Sequence, residues 1–302
     1  MSGELASILC AFLWAVALVI FRAGGRHVGP VALNLFKNIV GLLLFAISLV
    51  VLAWWRGHEL AQVFLPAELA WQQYLALFLS GGIGIGIADT ILFASLNRLG
   101  AGRHAIVEVL YSPFVVLCSA IYLSEPLEWT LFAGLAVMIA AILLGTYRYA
   151  AISGPAEKAR VVSGVVLGVI ASALMAIGIV IAKPALDISD PWWANLVRLL
   201  GGIVLLTPQI WWRGQRRDVL YALSPGRHWR VLVPGAVVGT YLAIFFWILG
   251  MKLTYTTVAS VLNMSAALFV IVLAALFLKE PLTWRKAAAV LLGLIGGALV
   301  VL

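Results

Sequence analysis

Charge is what this sequence most lacks. Of its 302 residues only 11% are Asp, Glu, Lys or Arg, against 64% hydrophobic, and the mean hydropathy is +1.10. A water-soluble domain needs more polar surface than that to cover its core, so a soluble fold is excluded and a polytopic membrane protein remains. Cysteine is scarce too. Cys10 and Cys118 both fall in apolar runs, which argues against a disulfide framework. There is no HExxH, CxxC, GxSxG or Walker phosphate loop, and the four histidines show no metal-ligand spacing. No cofactor and no enzymatic activity are therefore expected, and a self-contained primary pump is excluded. The net charge of +8 does not point to nucleic acid, because the cations are scattered between apolar runs and no soluble basic segment exists to bind one.

What the chain has in abundance is greasy helix. A span needs about 20 mostly apolar residues, and ten runs qualify: Leu5–Phe21, Val31–Leu52, Tyr74–Phe93, Ala105–Leu123, Trp129–Tyr147, Val162–Ala182, Trp192–Trp212, Val231–Leu249, Thr256–Leu278 and Arg285–Leu302. The first lacks a basic leader and an A-x-A-like cleavage site, so it reads as a membrane helix and not as a signal peptide. Connections are too short for a soluble domain.

The second half repeats the first. Pro30-x-x-x-Asn34-x-x-Lys37 matches Pro191-x-x-x-Asn195-x-x-Arg198, and Trp54-Trp55-Arg56-Gly57 matches Trp211-Trp212-Arg213-Gly214. Glu125-Pro126-Leu127-x-Trp129 matches Glu280-Pro281-Leu282-x-Trp284, and Ala15 through Arg22 matches Ala176 through Lys183. Four matches in one order divide the chain into residues 1–150 and 151–302. Each unit holds five spans, an odd number, so the second enters the membrane from the opposite side. An all-α integral membrane protein of two inverted five-helix repeats follows. Such repeats are common in secondary transporters, with the substrate site where the repeats meet.

Carboxylates inside spans cost about 2.5–3.5 kcal/mol on insertion scales and mark functional sites by default. Asp89 follows a run of glycines (Gly81, Gly82, Gly84, Gly86) that either packs helices closely or leaves space for a ligand. In the fourth span His104, Glu108, Tyr111 and Ser112 share one helical face; in the ninth, Thr256, Ser260 and Asn263 do, with Asn263 at the place of Glu108. Glu108 either carries a proton or a substrate ammonium, or pairs with His104, Arg103 or Lys37 to hold helices together. Trp14 and Met175 are near-equivalent positions of spans one and six, and Tyr241 lies deep among the aromatics of the eighth span. These are the candidate cavity residues. Lys37 and Arg198 are repeat-related cations with stems long enough to snorkel to a membrane face; the sharper reading makes one of them an anchor for a substrate carboxylate. Glu125-Pro126 and Glu280-Pro281 read as hairpin corners or gate elements, since proline disfavours helix at the residue before it.

The paired Glu-Pro-Leu corners, Leu13-Trp14-Ala15 with Arg22, and His104-Ala105-Ile106-Val107-Glu108 with Tyr111 and Pro113 resemble the EamA-type ten-helix exporters of the drug/metabolite transporter superfamily. The last run is similar to the amino-acid exporters of the YddG type. The resemblance implies a central cavity lined by spans one, three, four, six, eight and nine, and export of small metabolites, aromatic and other amino acids among them, across a bacterial inner membrane. Small multidrug relatives carry an essential Glu in their first helix. Spans one and six here carry no acid, so any proton coupling must use Asp89 or Glu108. The expected partners are a small-molecule substrate and membrane lipids, and the expected state is a monomer. The alternatives are a carrier of phosphorylated or nucleotide-linked sugars, a lipid-modifying enzyme, or a scaffold that transports nothing.

Fifteen of the 20 Lys and Arg residues fall in loops after odd-numbered spans and three in the others. By the positive-inside rule this places both termini outside the cytoplasm, the reverse of many relatives. Alkaline phosphatase fused to either terminus should be active and a fluorescent protein dark; the opposite pattern would overturn the orientation.

Overall fold

The computed structural model describes all residues except 26, 58–59, 65–68, 124–128, 153, 213 and 302. Among the described residues the chain is helical, with no strand. Helices α1 (Gly3–Gly24) and α2 (Pro30–Arg56) form the first two spans. After the short α3 (Leu60–Phe64), the third span runs from α4 (Trp71–Gly81) through a π-helical stretch, Gly82–Ala88, into α5 (Asp89–Leu99). The fourth is α6 (Ala101–Glu108) and α7 (Tyr111–Tyr122), and the fifth is α8 (Thr130–Ile152). In the second half, α9 (Pro155–Ile188) and α10 (Pro191–Trp212) are followed by the short α11 (Arg216–Leu223). The eighth span is α12 (Trp229–Gly235), a π-helical stretch Ala236–Ala243 and α13 (Ile244–Leu253). The ninth is α14 (Thr256–Asn263) with α15 (Ala266–Leu278), and the tenth is α16 (Trp284–Val301).

Eight of these runs are long and apolar enough to cross a membrane; α8 has a shorter apolar core, Thr130–Gly145, and packs against α16. The ten-helix fold expected from the sequence is the fold observed. Trp54, Trp55, Trp211 and Trp212 are exposed at helix ends, where aromatic residues anchor a bundle to the membrane interface.

The irregularities recur in both halves. Each third span of a repeat has a π-helical segment, and each fourth span breaks directly after its polar residue, Glu108 or Asn263. The first break has a local cause: Pro113 has no N–H to give the carbonyl of Val109, four residues back. At the second, the Ser265 hydroxyl takes the Leu262 carbonyl at 2.7 Å, and tight bonds run from Met264 N to Val261 O and from Ser265 N to Leu262 O. The first π segment frees backbone carbonyls, and Asn34 caps them: its Nδ2 donates to Ile85 O at 2.8 Å, Gly86 O at 3.1 Å and Thr90 Oγ1 at 2.9 Å. Pro234 stands just ahead of the second, where its missing N–H loosens the helix.

The glycines of the third span pack helices. A Cβ on Gly81 would collide with the backbone of Arg198, and one on Gly201 with the carbonyl of Phe78. A Cβ on Gly86 would lie 2.8 Å from Gly202 O, and one on Gly178 3.1 Å from Gly84 Cα. The third span thus meets α10 and α9 of the other repeat backbone to backbone, and only Gly84 also borders open space.

A second cross-repeat link lies at the start of α6. The Glu280 carboxylate accepts from the N–H groups of Ala101 at 2.8 Å and Gly102 at 3.0 Å, with Lys286 Nζ 3.8 Å away. This is a helix N-cap supplied by the distant half of the chain, favoured by the positive end of the helix dipole. The matching corner, Glu125-Pro126, lies outside the described residues.

Replacing Gly81 or Gly201 by Ala should abolish the monodisperse folded protein in size-exclusion chromatography. Gly154→Ala, where an added Cβ meets nothing within 4 Å, should leave it unchanged. Normal elution of Gly81→Ala would refute the packing role.

Candidate functional site

A cavity lies where the two repeats meet, its space of about 840 Å³ including the part open to solvent. Its walls come from α1 (Cys10, Ala11, Trp14), the third span (Gly84, Ile85, Asp89), the fourth (Ala105, Glu108, Val109, Tyr111) and Met175 of α9. The second half adds Arg198 of α10, Ala243, Ile244 and Trp247 of the eighth span, and Asn263, Met264, Ala266 and Ala267 of the ninth.

Glu108 ends the half-helix α6, and the break after it turns its carboxyl into this space. Its Oε1 accepts from the indole N–H of Trp14 at 2.9 Å. Asn263 ends the half-helix α14 in the same way, but neither atom of its buried amide has a hydrogen-bond partner. An amide desolvated without a partner costs roughly 1–3 kcal/mol. Half-helix ends also leave backbone carbonyls unpaired and carry the negative end of the helix dipole, which favours a cation. Tyr111 begins α7 on the far side of the first break, its ring 6.4 Å from that of Trp247.

Asp89 opens onto the cavity wall, and its Oδ2 lies 2.8 Å from Lys37 Nζ in an ion pair sealed from solvent. Lys37 also donates to Asn38 Oδ1 at 2.9 Å, and Asn38 donates to Asn34 Oδ1 at 3.1 Å. The snorkelling expected of the two buried cations does not occur. Lys37 and Arg198 are each 1% exposed. Lys37 is held by Asp89. Arg198 donates from Nε to Ser80 Oγ at 3.0 Å, and its guanidinium carbon lies 4.9 Å from the centre of the Trp247 ring.

Of the candidate residues, Trp14, Asp89, Glu108, Tyr111, Met175 and Asn263 come together around the cavity. Three do not. His104 sits one turn before Glu108, its Nδ1 3.0 Å from Ser95 Oγ, which donates to Gly164 O at 2.8 Å; it joins the third, fourth and sixth spans. Tyr241 turns away inside its π segment, sharing a 2.6 Å hydrogen bond with Ser48 and packing on Phe45 and Trp192. Ser260 lies 3.1 Å from Ser112, between the fourth and ninth spans. Glu280 and Pro281 stand at the α6 cap and not in the cavity, Lys286 Nζ also donating to Pro281 O at 3.0 Å. Sequence reasoning gave no cavity role to Trp247, which is one of several aromatics in its span; the signal that singles it out, its position over Arg198, exists only in three dimensions.

A bundle of ten membrane helices around a largely apolar cavity that holds a few polar and charged side chains, built from two inverted halves, has the architecture of a secondary carrier. The model of the EamA-like transporter family matches residues 1–147 and 162–302, and the chain belongs to that family, within the drug/metabolite transporter superfamily. Protein PecM of Dickeya dadantii (strain 3937) is 27% identical over 219 residues, which cover 71% of this chain and 69% of PecM. A solved crystal structure superimposes with a TM-score of 0.68 at 17% identity, covering 99% of this chain and 96% of that one, which establishes the shared fold.

Because the Asn263 amide makes no hydrogen bond, Asn263→Leu should leave the melting temperature in detergent unchanged or raise it, while transport falls. Lower stability with intact transport would show that the amide serves packing only.

Proposed function

We propose that this protein is a carrier and not an enzyme, exporting small metabolites, amino acids foremost, across the bacterial plasma membrane by alternating access. It lies in the membrane with both termini outside and works as a monomer. The observation that carries this reading is Glu108: a carboxyl in the bilayer core, at the end of a half-helix, facing a cavity that holds three aromatic residues. An ammonium group is the natural partner for a carboxylate beside unpaired helix carbonyls, and Trp14, Tyr111 and Trp247 offer flat apolar walls for a side chain. Asn263 supplies the neutral counterpart from the other repeat, with donors and an acceptor unused. A carrier of phosphorylated or nucleotide-linked sugars would need clustered cations to neutralise phosphate. Here Lys37 is already consumed by Asp89.

Counterflow of labelled amino acids in proteoliposomes, with and without a pH gradient, tests the proposal. Amino-acid flux is expected for wild type and a fall of about tenfold or more for Glu108→Gln, which loses a charge-assisted contact, with the melting temperature nearly unchanged. Flux that follows the gradient assigns a coupled proton to Asp89 or Glu108, and flux indifferent to it makes the carrier a facilitator. No flux with any amino acid would overturn the cargo assignment.

A further inference from the structure

The two repeats bury a cation at matching places, and among the described residues only one of them is in contact with a counter-ion. Lys37 follows Asn34 by three residues, as Arg198 follows Asn195. In the first repeat, Asp89 is the first residue after the π segment, and its carboxylate lies 2.8 Å from Lys37 Nζ. In the second repeat, the first residue after the π segment is Ile244, 155 residues further on, the offset that also relates Asn263 to Glu108. The counter-ion has been replaced by a hydrocarbon.

Arg198 is correspondingly under-satisfied. Its Nε bonds to Ser80, its guanidinium lies against Trp247, and Nη1 has no hydrogen-bond partner. Among the described residues it makes no ion pair. Asp89, the acid on the same cavity, is held by Lys37. A charge buried without a partner costs several kcal/mol, and a guanidinium is a planar fork of N–H donors that fits a carboxylate in bidentate fashion. Ser80 and Trp247 fix the plane of that fork, and Nη1 is left without a hydrogen-bond partner at the cavity that Arg198 lines.

Resting on the reading of the cavity as a cargo site, we propose that Arg198 is the specificity-determining residue and binds the carboxylate of the cargo. The cargo class is then a small zwitterion, its carboxylate on Arg198 and its ammonium toward Glu108 and the half-helix ends. A phosphate dianion also pairs with guanidinium but brings a second negative charge and no ammonium to meet Glu108, so a zwitterion is the chemistry the pair of walls selects.

The test compares an aromatic L-amino acid, the amine formed by removing its carboxylate, and inorganic phosphate, in binding and counterflow by the full-length protein. Wild type should prefer the amino acid over the amine by about tenfold to a hundredfold, the worth of a charged, hydrogen-bonded contact. Arg198→Gln should bring the amino acid down to the level of the amine and leave the amine unchanged, with Arg198→Lys falling between. Should Arg198→Gln fail to fold, Ile244→Asp provides the second arm: restoring the missing counter-ion should leave a folded protein that has lost the preference for the amino acid. An unchanged preference in Arg198→Gln, or in a folded Ile244→Asp, overturns the proposal while amino-acid transport stands. Wild-type flux of phosphate but of no amino acid overturns both.

Discussion

The ion pair between Lys37 and Asp89 is buried among helices at the edge of the cavity, and much of the molecule is arranged around it. It ties α2 to the start of α5, and the same stretch of α2 supplies Asn34, which satisfies the carbonyls freed by the neighbouring π segment. The pair, the amide and the loosened helix form one unit: without the amide the π segment would leave polar backbone in hydrocarbon, and without the aspartate the lysine would be an unpaired buried charge. That unit sets one wall of the cavity, because Asp89 and Gly84 both face it.

Inverted repeats start symmetric, and function requires that the symmetry be broken at a few positions. Backbone irregularities are the conserved element between these halves: a π segment in each third helix and a break in each fourth, at corresponding places. Side chains are where the halves part. A glutamate faces an asparagine across the two breaks, and an aspartate corresponds to an isoleucine after the two π segments. The same backbone twice over thereby presents a carboxyl from one half and a guanidinium from the other, so the cavity acquires polarity that a symmetric dimer of the repeat would lack.

The number and order of the helices were legible because run length and hydropathy suffice to define a span, and the repeat because four motifs recur in order. Glu108, Tyr111 and Asn263 were legible from helical spacing and the repeat offset. His104 misleads: it stands outside the cavity because Gly168 lets α9 close on Val107 of α6, and Ser95, bonded to Gly164 O of α9, sits beside the imidazole. Tyr241 misleads for a different reason. A π segment adds residues to the turn and rotates the face that a 3.6-residue period projects, so Trp247 reaches the cavity and Tyr241 faces α2. The fate of the buried cations was not legible, since a long stem permits both snorkelling and burial, and only the partners Asp89, Ser80 and Trp247 decide between them.

The glycine seam has a mechanical consequence. Where the third span meets α10, main chain approaches main chain at Gly81, Gly86 and Gly201, while the side chains of Leu205 and Ile85 pack onto Gly82 and Gly202. Small residues are what let two helix backbones come this close, so an added methyl group there displaces a whole helix and not one side chain. The third span belongs to the first repeat and α10 to the second, so this close seam joins the two repeats across the duplication. The boundary between the repeats in the sequence is thus not a gap in the packing: an alanine at one of these glycines in one half would push on the backbone of the other.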